Sequence, residues 1–166
     1  MVDVKRVDSQ AGKNLLVALK SLQNAQARVG WFPSAVYDDE KSTPVAAVAA
    51  QNEFGNPAKN IPARPFMRPT IAKKSKEWKA IAEKGAQAVI ENQIHVTDVL
   101  DLIGQAASAD IKETISRLVT PALSPRTIAA RLARRSNRKQ VGSLTKPLID
   151  TGKMIVSLDY EVDGLP

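Results

Sequence analysis

The stretch that most constrains this chain is Asn60–Thr70, which contains three of its ten prolines and follows closely on Pro57. Proline fixes φ at about −65°, removes a backbone donor and shifts the preceding residue towards extended geometry. We therefore expect a stiff, ordered arm over residues 57–69 and not a flexible linker. The side chains predicted to form an interaction surface on this arm are Ile61, Arg64, Phe66, Met67 and Arg68.

Length and composition indicate a folded protein with a single structural domain over residues 1–166. Apolar residues make up 43% of the chain but aromatic residues only 4%, so its core must rest on aliphatic side chains. The absence of cysteine excludes disulfides and thiolate metal sites. The net charge of +7 favours anionic partners without choosing between nucleic acid and an acidic protein surface.

No segment of the sequence favours membrane insertion. The longest uninterrupted apolar run, Val45–Ala50, is too short to cross a bilayer. The first residues also lack the apolar core of a signal peptide. We expect a soluble protein that is cytosolic when it is made.

The part of the chain before the arm is predicted to be a small α/β unit. An imperfect alternation over residues 2–7 is consistent with a short edge strand, and the aromatic and β-branched residues of 27–32 predict another. Between them, leucines at a spacing of three and four predict a helix capped by Asp8 or Ser9. Residues 34–42 are predicted to form an exposed acidic loop.

A second helix before the arm is predicted to begin at Thr43-Pro44, with threonine as the N-cap and proline in the first turn. Gly55 is a plausible C-cap of this helix. Glu53, near its end, is a candidate ion-pair partner of Arg64 or Arg68, within one subunit or between subunits.

The part of the chain after the arm is predicted to be mostly helical. A helix starting at Pro69 and another capped by Thr97 have long apolar faces and form an αα-hairpin, or one kinked helix. Ser124-Pro125 predicts a further short helix. The alternation over residues 155–162 predicts a half-buried strand that pairs with the N-terminal strands. The fold class is therefore α+β, with a small, mostly antiparallel sheet packed against a helical hairpin and shorter helices.

Basic residues dominate the region between Thr114 and Ile149, which holds eight of them and no acidic residue. Several recur at a helical spacing that places them on one face, and a mobile basic loop is predicted at about residues 136–146. Such a stripe can bind phosphates non-specifically, although a solvated face is the commoner role of a charge run. Without aromatic side chains to stack on bases, it is not expected to read a sequence. The predicted stripe comprises Arg126, Arg131, Arg134, Arg135, Arg138 and Lys139.

The triplet Asp150-Thr151-Gly152 superficially resembles the active-site loop of retroviral-type aspartic proteases. That chemistry needs two facing aspartates, hence a dimer, and a large β scaffold, whereas the elements predicted before this triplet are mostly helical. We interpret the triplet as a structural turn in which Asp150 bonds to nearby backbone amides and Gly152 supplies an unusual φ.

No other group of residues indicates catalysis. His95 is the only histidine, and no residues at metal-ligand or nucleophile–base spacing accompany it. No phosphate-binding glycine loop or dinucleotide fingerprint is present in the sequence. We expect no enzyme activity, no cofactor and no metal.

Four stretches, in their order along the chain, resemble the neck or tail-completion proteins of tailed bacteriophages, which are also described as minor tail or virion morphogenesis proteins. The proline arm is the most specific of the four, and the resemblance extends from about Val29 to Val162. The four stretches are Val48–Gly55, Ile61–Thr70, Ser124–Ile128 and Lys146–Gly152.

This resemblance implies a structural virion protein at the head–tail junction. Its implied partners are copies of itself in a homo-oligomeric ring, a head connector or adaptor, and a tail terminator or tail tube protein, with possible non-specific contact to packaged DNA. It also implies location in the virion neck or tail, and in the host cytoplasm during assembly. The alternative function is non-specific DNA binding by the basic stripe over residues 126–139.

Overall fold

A computed structural model describes residues 10–135 and 142–163 of the chain. These residues form six α-helices and a two-stranded antiparallel sheet, which confirms the α+β class. The strand predicted at residues 2–7 lies outside the described residues. The elements are α1 (Gln10–Asn24), β1 (Gln26–Gly30), α2 (Val45–Phe54), α3 (Met67–Ile90), α4 (Val96–Arg117), α5 (Pro125–Arg135), α6 (Lys153–Val156) and β2 (Asp159–Asp163).

The described residues divide into two compact units, where the sequence predicts one domain. Unit 1 comprises residues 10–29, 74–107 and 160–163, and unit 2 comprises residues 30–73, 108–135 and 142–159. The long helices α3 and α4 each contribute to both units. The two units differ in what they bury, and each is described by itself below.

Unit 1 has a core of small aliphatic side chains. Ala18 of α1 packs with Val89 of α3 and with Val96 and Val99 of α4. Gly85 of α3 lies directly against Val99, and a methyl group at position 85 would collide with the valine side chain. Because it has no side chain, Gly85 allows the two helices to approach closely.

The sheet of unit 1 pairs β1 with β2, as expected of the C-terminal strand. On its exposed side, Arg28 of β1 forms ion pairs across the strands with Glu161, at 3.2 Å, and with Asp163. The α3–α4 hairpin packs against this sheet. The Tyr160 ring lies so close to Gly104 of α4 that a side chain there would collide with it.

The prediction of a strand over residues 155–162 is wrong for its first half. Lys153–Val156 form the single helical turn α6, and the strand begins only at Asp159. Gly152, at φ +79°, starts the turn, and the Ser157 hydroxyl donates to the Lys153 carbonyl at 2.6 Å. These bonds close a helical turn where side-chain alternation alone suggested extended backbone.

Two predicted helix starts are displaced: the N-cap of α2 is Pro44, without a side-chain hydrogen bond, and α3 begins before Pro69. The Thr43 hydroxyl and amide both donate to the Asp39 carboxylate, at 2.6 and 2.8 Å. The Thr43 side chain therefore closes the acidic loop and does not cap α2, which begins at Val45. Helix α3 begins at Met67 and not at Pro69, and the Pro69 ring falls within the first turn, where no donor is needed.

Helix α4 begins at Val96, one residue before its predicted cap Thr97. The Asp98 carboxylate accepts the His95 amide at 2.9 Å and so closes the first turn around His95. The predicted caps of α1, Asp8 and Ser9, and residues 136–141 of the predicted basic loop lie outside the described residues. Two other predicted caps are confirmed. Ser124 caps α5 by accepting the Thr127 amide at 3.2 Å, and Gly55 ends α2 at φ +75°.

Unit 2 buries charged and polar side chains together with its apolar core. Its largest fully buried side chains are those of Phe66, Ile115, Leu158 and Val45. The buried polar and charged side chains of the described residues all belong to this unit: Glu53, Arg64, Thr70, Ser108 and Arg131. Three of these five are ionisable, and they position the candidate site.

Candidate docking groove

The start of α3 is built on the carboxylate of Glu53, a residue of α2. One carboxylate oxygen accepts the amides of Phe66 and Met67, at 2.7 and 2.9 Å, and the other accepts the Arg68 amide at 3.1 Å. These amides have no partner within the helix, and a carboxylate also suits the positive end of the helix dipole. Glu53 therefore acts as the cap of a helix that begins fourteen residues later in the chain.

Glu53 keeps its negative charge although its side chain is almost completely buried. Burial raises the pKa of this carboxyl, but hydrogen bonds from Met67, Phe66 and Arg68 outweigh burial, and the pKa lies below its ordinary value. The folded state thus contains a buried carboxylate whose charge is matched by amides and a guanidinium.

Arg68 completes this network and confirms the prediction that Glu53 pairs with an arm arginine. Its Nε donates to the Glu53 carboxylate at 2.9 Å and its Nη2 to the Glu53 carbonyl at 3.0 Å, both within one chain. The guanidinium lies 4.9 Å from the centre of the Phe54 ring, within cation–π distance. Arg68 is exposed, as predicted for the arm, and Phe54 at the end of α2 is exposed beside it.

The other arm side chains are less accessible than predicted. Phe66 is 1% exposed, and its ring meets Trp31 edge-on at 5.8 Å between centroids. Arg64 is also buried, and it donates to the carbonyls of Pro121 and Ala122 at 2.8 and 3.0 Å. Phe66 is therefore not available to anchor a partner, because the core of unit 2 uses its ring. Ile61 and Met67 are half-buried.

The basic stripe is not the continuous exposed face that the helical spacing predicts. Arg131 is 5% exposed, and its guanidinium donates to the carbonyls of Ser143, Lys146 and Pro147 at 2.8 to 3.0 Å. It holds residues 143–149 against α5. Arg126 and Arg134 are exposed. The side chain of Arg135 and the whole of Arg138 and Lys139 lie outside the described residues.

Asp150 is the acidic partner of the stripe. Its carboxylate accepts a hydrogen bond from the Nη2 of Arg134 at 2.8 Å, and it lies 3.4 Å from the Nε of Arg131. The sequence predicts a structural turn here, and Gly152 at φ +79° confirms the unusual backbone. The bonds of Asp150 are made to arginine side chains, however, where backbone amides were expected. The Thr151 hydroxyl accepts the Lys153 amide at 3.2 Å and completes the turn.

These residues surround one groove within unit 2, with a volume of about 1350 Å³. The arm contributes Ile61 and Arg64, the stripe contributes Arg131 and Arg134, and the turn contributes Asp150–Gly152. The four stretches singled out in the sequence all supply lining residues: Val48 and Asn52, then Ile61, Pro62 and Arg64, then Ser124 and Thr127, then Pro147, Leu148 and Asp150–Gly152.

The mouth of the groove carries polar groups from the acidic loop. The Asp38 side chain is almost completely exposed, and its carboxylate lies 3.5 Å from the Nζ of Lys153. Tyr37 is half-buried, and burial together with the charge of Asp150 raises the pKa of its hydroxyl, so the phenol stays protonated. The groove therefore offers apolar contacts, a neutral hydroxyl donor and charges of both signs.

The described residues contain no metal-binding cluster and no membrane-spanning helix that would indicate a different kind of site. His95 is exposed, and no group of histidine, aspartate and glutamate side chains there is arranged to hold a metal ion. Among the same residues, no helix is long and apolar enough to cross a membrane. No protein-family model, curated protein or solved structure matches this chain.

The buried roles of Glu53, Arg64 and Arg131 were missed by sequence reasoning. For Glu53 a signal exists, since it follows Val45 and Ala49 at intervals of four and so shares their buried face of α2. Arg64 and Arg131 bond to carbonyls far away in the chain, and their local sequence carries no sign of this.

Proposed function

We propose that this protein is a structural component of a tailed-phage virion, acting at the head–tail junction to complete the tail or neck and join it to the head connector. The observation that carries the proposal is the convergence on one groove of the four stretches that resemble neck and tail-completion proteins. They are separated by up to about a hundred residues in sequence, and a shared surface gives a reason for them to occur together.

The groove also supports docking in preference to catalysis. Its charged side chains are engaged with backbone groups or with each other, as in the pairing of Asp150 with Arg134. Charged groups held in this way shape a surface and fix loops around it. A junction protein needs such a preformed surface, because rigid segments lose less conformational entropy on binding.

In the proposed mechanism, a ring of identical subunits closes through heterologous contacts repeated around an axis. Each subunit presents the exposed pair Arg68 and Phe54, which the Glu53 network holds in place. Arginine and aromatic side chains dominate the binding energy of many protein interfaces. The sequence predicts that Phe66 contacts a neighbouring subunit, but Phe66 is buried. We assign this contact to Phe54, which is 65% exposed.

The direct test is a tailed phage in which the gene for this chain carries an amber stop. On a non-suppressing host we expect filled heads and separate tails that do not join, seen by electron microscopy of the lysate. A plasmid copy of the wild-type gene should restore joined particles. Normal joined particles without the protein would contradict the proposal.

Non-specific DNA binding by the stripe at 126–139 receives less support from the same residues. Arg131 is buried and Arg134 is neutralised by Asp150, so two of the predicted phosphate contacts are already engaged. A DNA-binding role predicts a gel shift with steep salt dependence, lost on replacing Arg126 and Arg134 by alanine. No shift at low salt would exclude it.

A further inference from the structure

The groove of unit 2 has a larger volume than a typical site for a small molecule. Ligand pockets of that kind have volumes of roughly 300 to 1,000 Å³ and enclose most of the ligand. This groove reaches about 1350 Å³ and runs from the acidic loop, past the arm, to α5 and α6. This volume has room for a segment of polypeptide, and the lining includes the apolar side chains of Val48, Ile61, Leu148 and Val156.

The charges along the inner wall of the groove are not balanced. Arg64 is 6% exposed, and its guanidinium donates to two carbonyls without a paired carboxylate among the described residues. Arg131 and Arg134 both pair with Asp150. The three arginines therefore share one paired carboxylate, that of Asp150, and the whole lining holds four basic side chains against three acidic ones. A buried cation is costly without a counter-charge, and burial lowers the pKa of Arg64 for this reason.

We propose that the groove binds a segment of a partner protein in which a carboxylate side chain is flanked by apolar residues. The carboxylate is attracted by the excess positive charge of the buried Arg64 and Arg131, and it contacts Arg134, the one of these three arginines that is exposed. The apolar flanks cover Val156, which is 81% exposed, and Ile61, another apolar residue of the lining. Binding removes apolar surface from water and supplies the missing counter-charge.

The same charges discriminate against a nucleic acid. The carboxylates of Asp38, Asp39 and Asp150 line the groove together with the arginines. A phosphate chain places a negative charge at every nucleotide and would meet these carboxylates, whereas a peptide with isolated acidic side chains can avoid them. The apolar lining also has no complement on a phosphate backbone.

This inference depends on the groove alone and holds whether or not the protein acts at a head–tail junction. Its test therefore uses the purified full chain and no virus. The immobilised chain is used to select short peptides from a random displayed library. We expect the selected peptides to be enriched in acidic residues flanked by leucine, isoleucine, valine or aromatic residues.

Variants of exposed groove residues then locate the binding. Arg134→Glu and Val156→Asp should each weaken a selected peptide by about tenfold or more, measured by fluorescence anisotropy. Arg126→Glu is the matched control, because Arg126 is an exposed arginine of the same helix that does not line the groove. It should leave affinity unchanged. Both groove positions are exposed, and circular dichroism confirms that each variant is folded.

Three results would overturn the proposal. They are a selection that enriches no peptide or enriches basic ones, equal weakening by the Arg126 and Arg134 variants, and displacement of the peptide by duplex DNA at physiological salt. The amber-stop experiment is independent of all three. If the groove binds no peptide, the proposed role at the head–tail junction is unaffected. If particles join normally under the amber stop, the proposal that the groove binds a peptide is unaffected.

Discussion

Unit 1 and unit 2 reach a buried core by different means. Unit 1 buries alanine and valine side chains, and its helices meet at the small residue Gly85. Unit 2 buries Glu53, Arg64 and Arg131 and satisfies them with backbone groups from distant parts of the chain. An aliphatic core tolerates substitutions that conserve volume. A buried charge is strongly destabilising when one of its partners is removed, because the remaining charge is left without compensation. Unit 2 should therefore be the more easily broken by single substitutions.

The two tryptophans allow this comparison to be measured unit by unit. Trp31 lies in unit 2, where its indole donates to the Met154 carbonyl at 2.8 Å, and Trp78 lies in unit 1. In a Trp78→Phe background, fluorescence reports unit 2 alone, and in a Trp31→Phe background it reports unit 1 alone. Urea denaturation followed in both backgrounds gives the free energy of unfolding seen by each unit.

The largest effect is expected for Glu53→Ala. It leaves three amides at the start of α3 and the Arg68 guanidinium without their acceptor, and loss of one partner from a buried charged network costs about 4 kcal/mol. The loss should appear in the Trp31 signal. The control Glu113→Ala removes an exposed ion pair with Arg117 and should cost under about 1 kcal/mol. Equal losses for both variants would show that the Glu53 network contributes little.

Arg131→Met should be the next most damaging change. Methionine keeps much of the side-chain volume but leaves the carbonyls of residues 143–147 without their donor, at a cost of about 3 kcal/mol. Arg126→Met on the same helix is exposed and should change the free energy of unfolding by less than about 0.5 kcal/mol. The Trp31 signal tests both, and a neutral Arg131→Met would remove the contrast between the units.

A double-mutant cycle at Gly85 and Val99 tests the packing of unit 1. Val99→Ala should cost about 2 kcal/mol through the cavity it leaves. Gly85→Ala should also destabilise, because its methyl group collides with Val99, although alanine favours the helix by about 1 kcal/mol. The double variant, read by Trp78, should be more stable than the sum of the two changes predicts. Strict additivity would mean that the two positions are not in contact.

Acid should have a smaller effect that is specific to unit 2. The pKa of Glu53 lies below its ordinary value of 4.5 in the folded state, so its stabilisation is present above that value and is lost as the pH falls through the folded-state pKa. The Trp31-reported free energy of unfolding should fall on acidification below about pH 4.5. Glu53→Gln, which cannot titrate, should fall less steeply. Parallel curves for the two proteins would assign the acid sensitivity to other carboxyls.

Features that depend on burial of aliphatic side chains could be predicted from the sequence, whereas features that depend on hydrogen bonds from side chains to backbone could not. Helix existence, the hairpin and the pairing of the C-terminal strand with β1 rest on apolar periodicity, which records burial of aliphatic side chains directly. The starts of α2 and α3 and the first half of the strand at 155–162 were placed wrongly. Each depends on a side chain bonding to backbone: Asp39 to Thr43, Glu53 to α3 and Ser157 to Lys153.

The candidate site shows the same limit. The arm, the stripe and the Asp150 turn could each be singled out from composition and spacing, and their meeting in one groove could not. A charge run looks the same in sequence whether its arginines are solvated or, like Arg131, buried among carbonyls. Arg131 is buried because residues 143–147 fold over it, and their sequence, Ser-Leu-Thr-Lys-Pro, gives no sign of this contact.

The reach of the Glu53 carboxylate fixes the length of the chain between α2 and α3. Glu53 is part of one helix and holds the first amides of the next, while Gly55 packs against the Ala63 backbone partway along. Both ends and the middle of this segment are tied, so adding or removing one residue moves Phe66 out of register with its acceptor. Natural variants of this protein should differ in length within residues 38–42, which are exposed, and keep the interval from Glu53 to Phe66 constant.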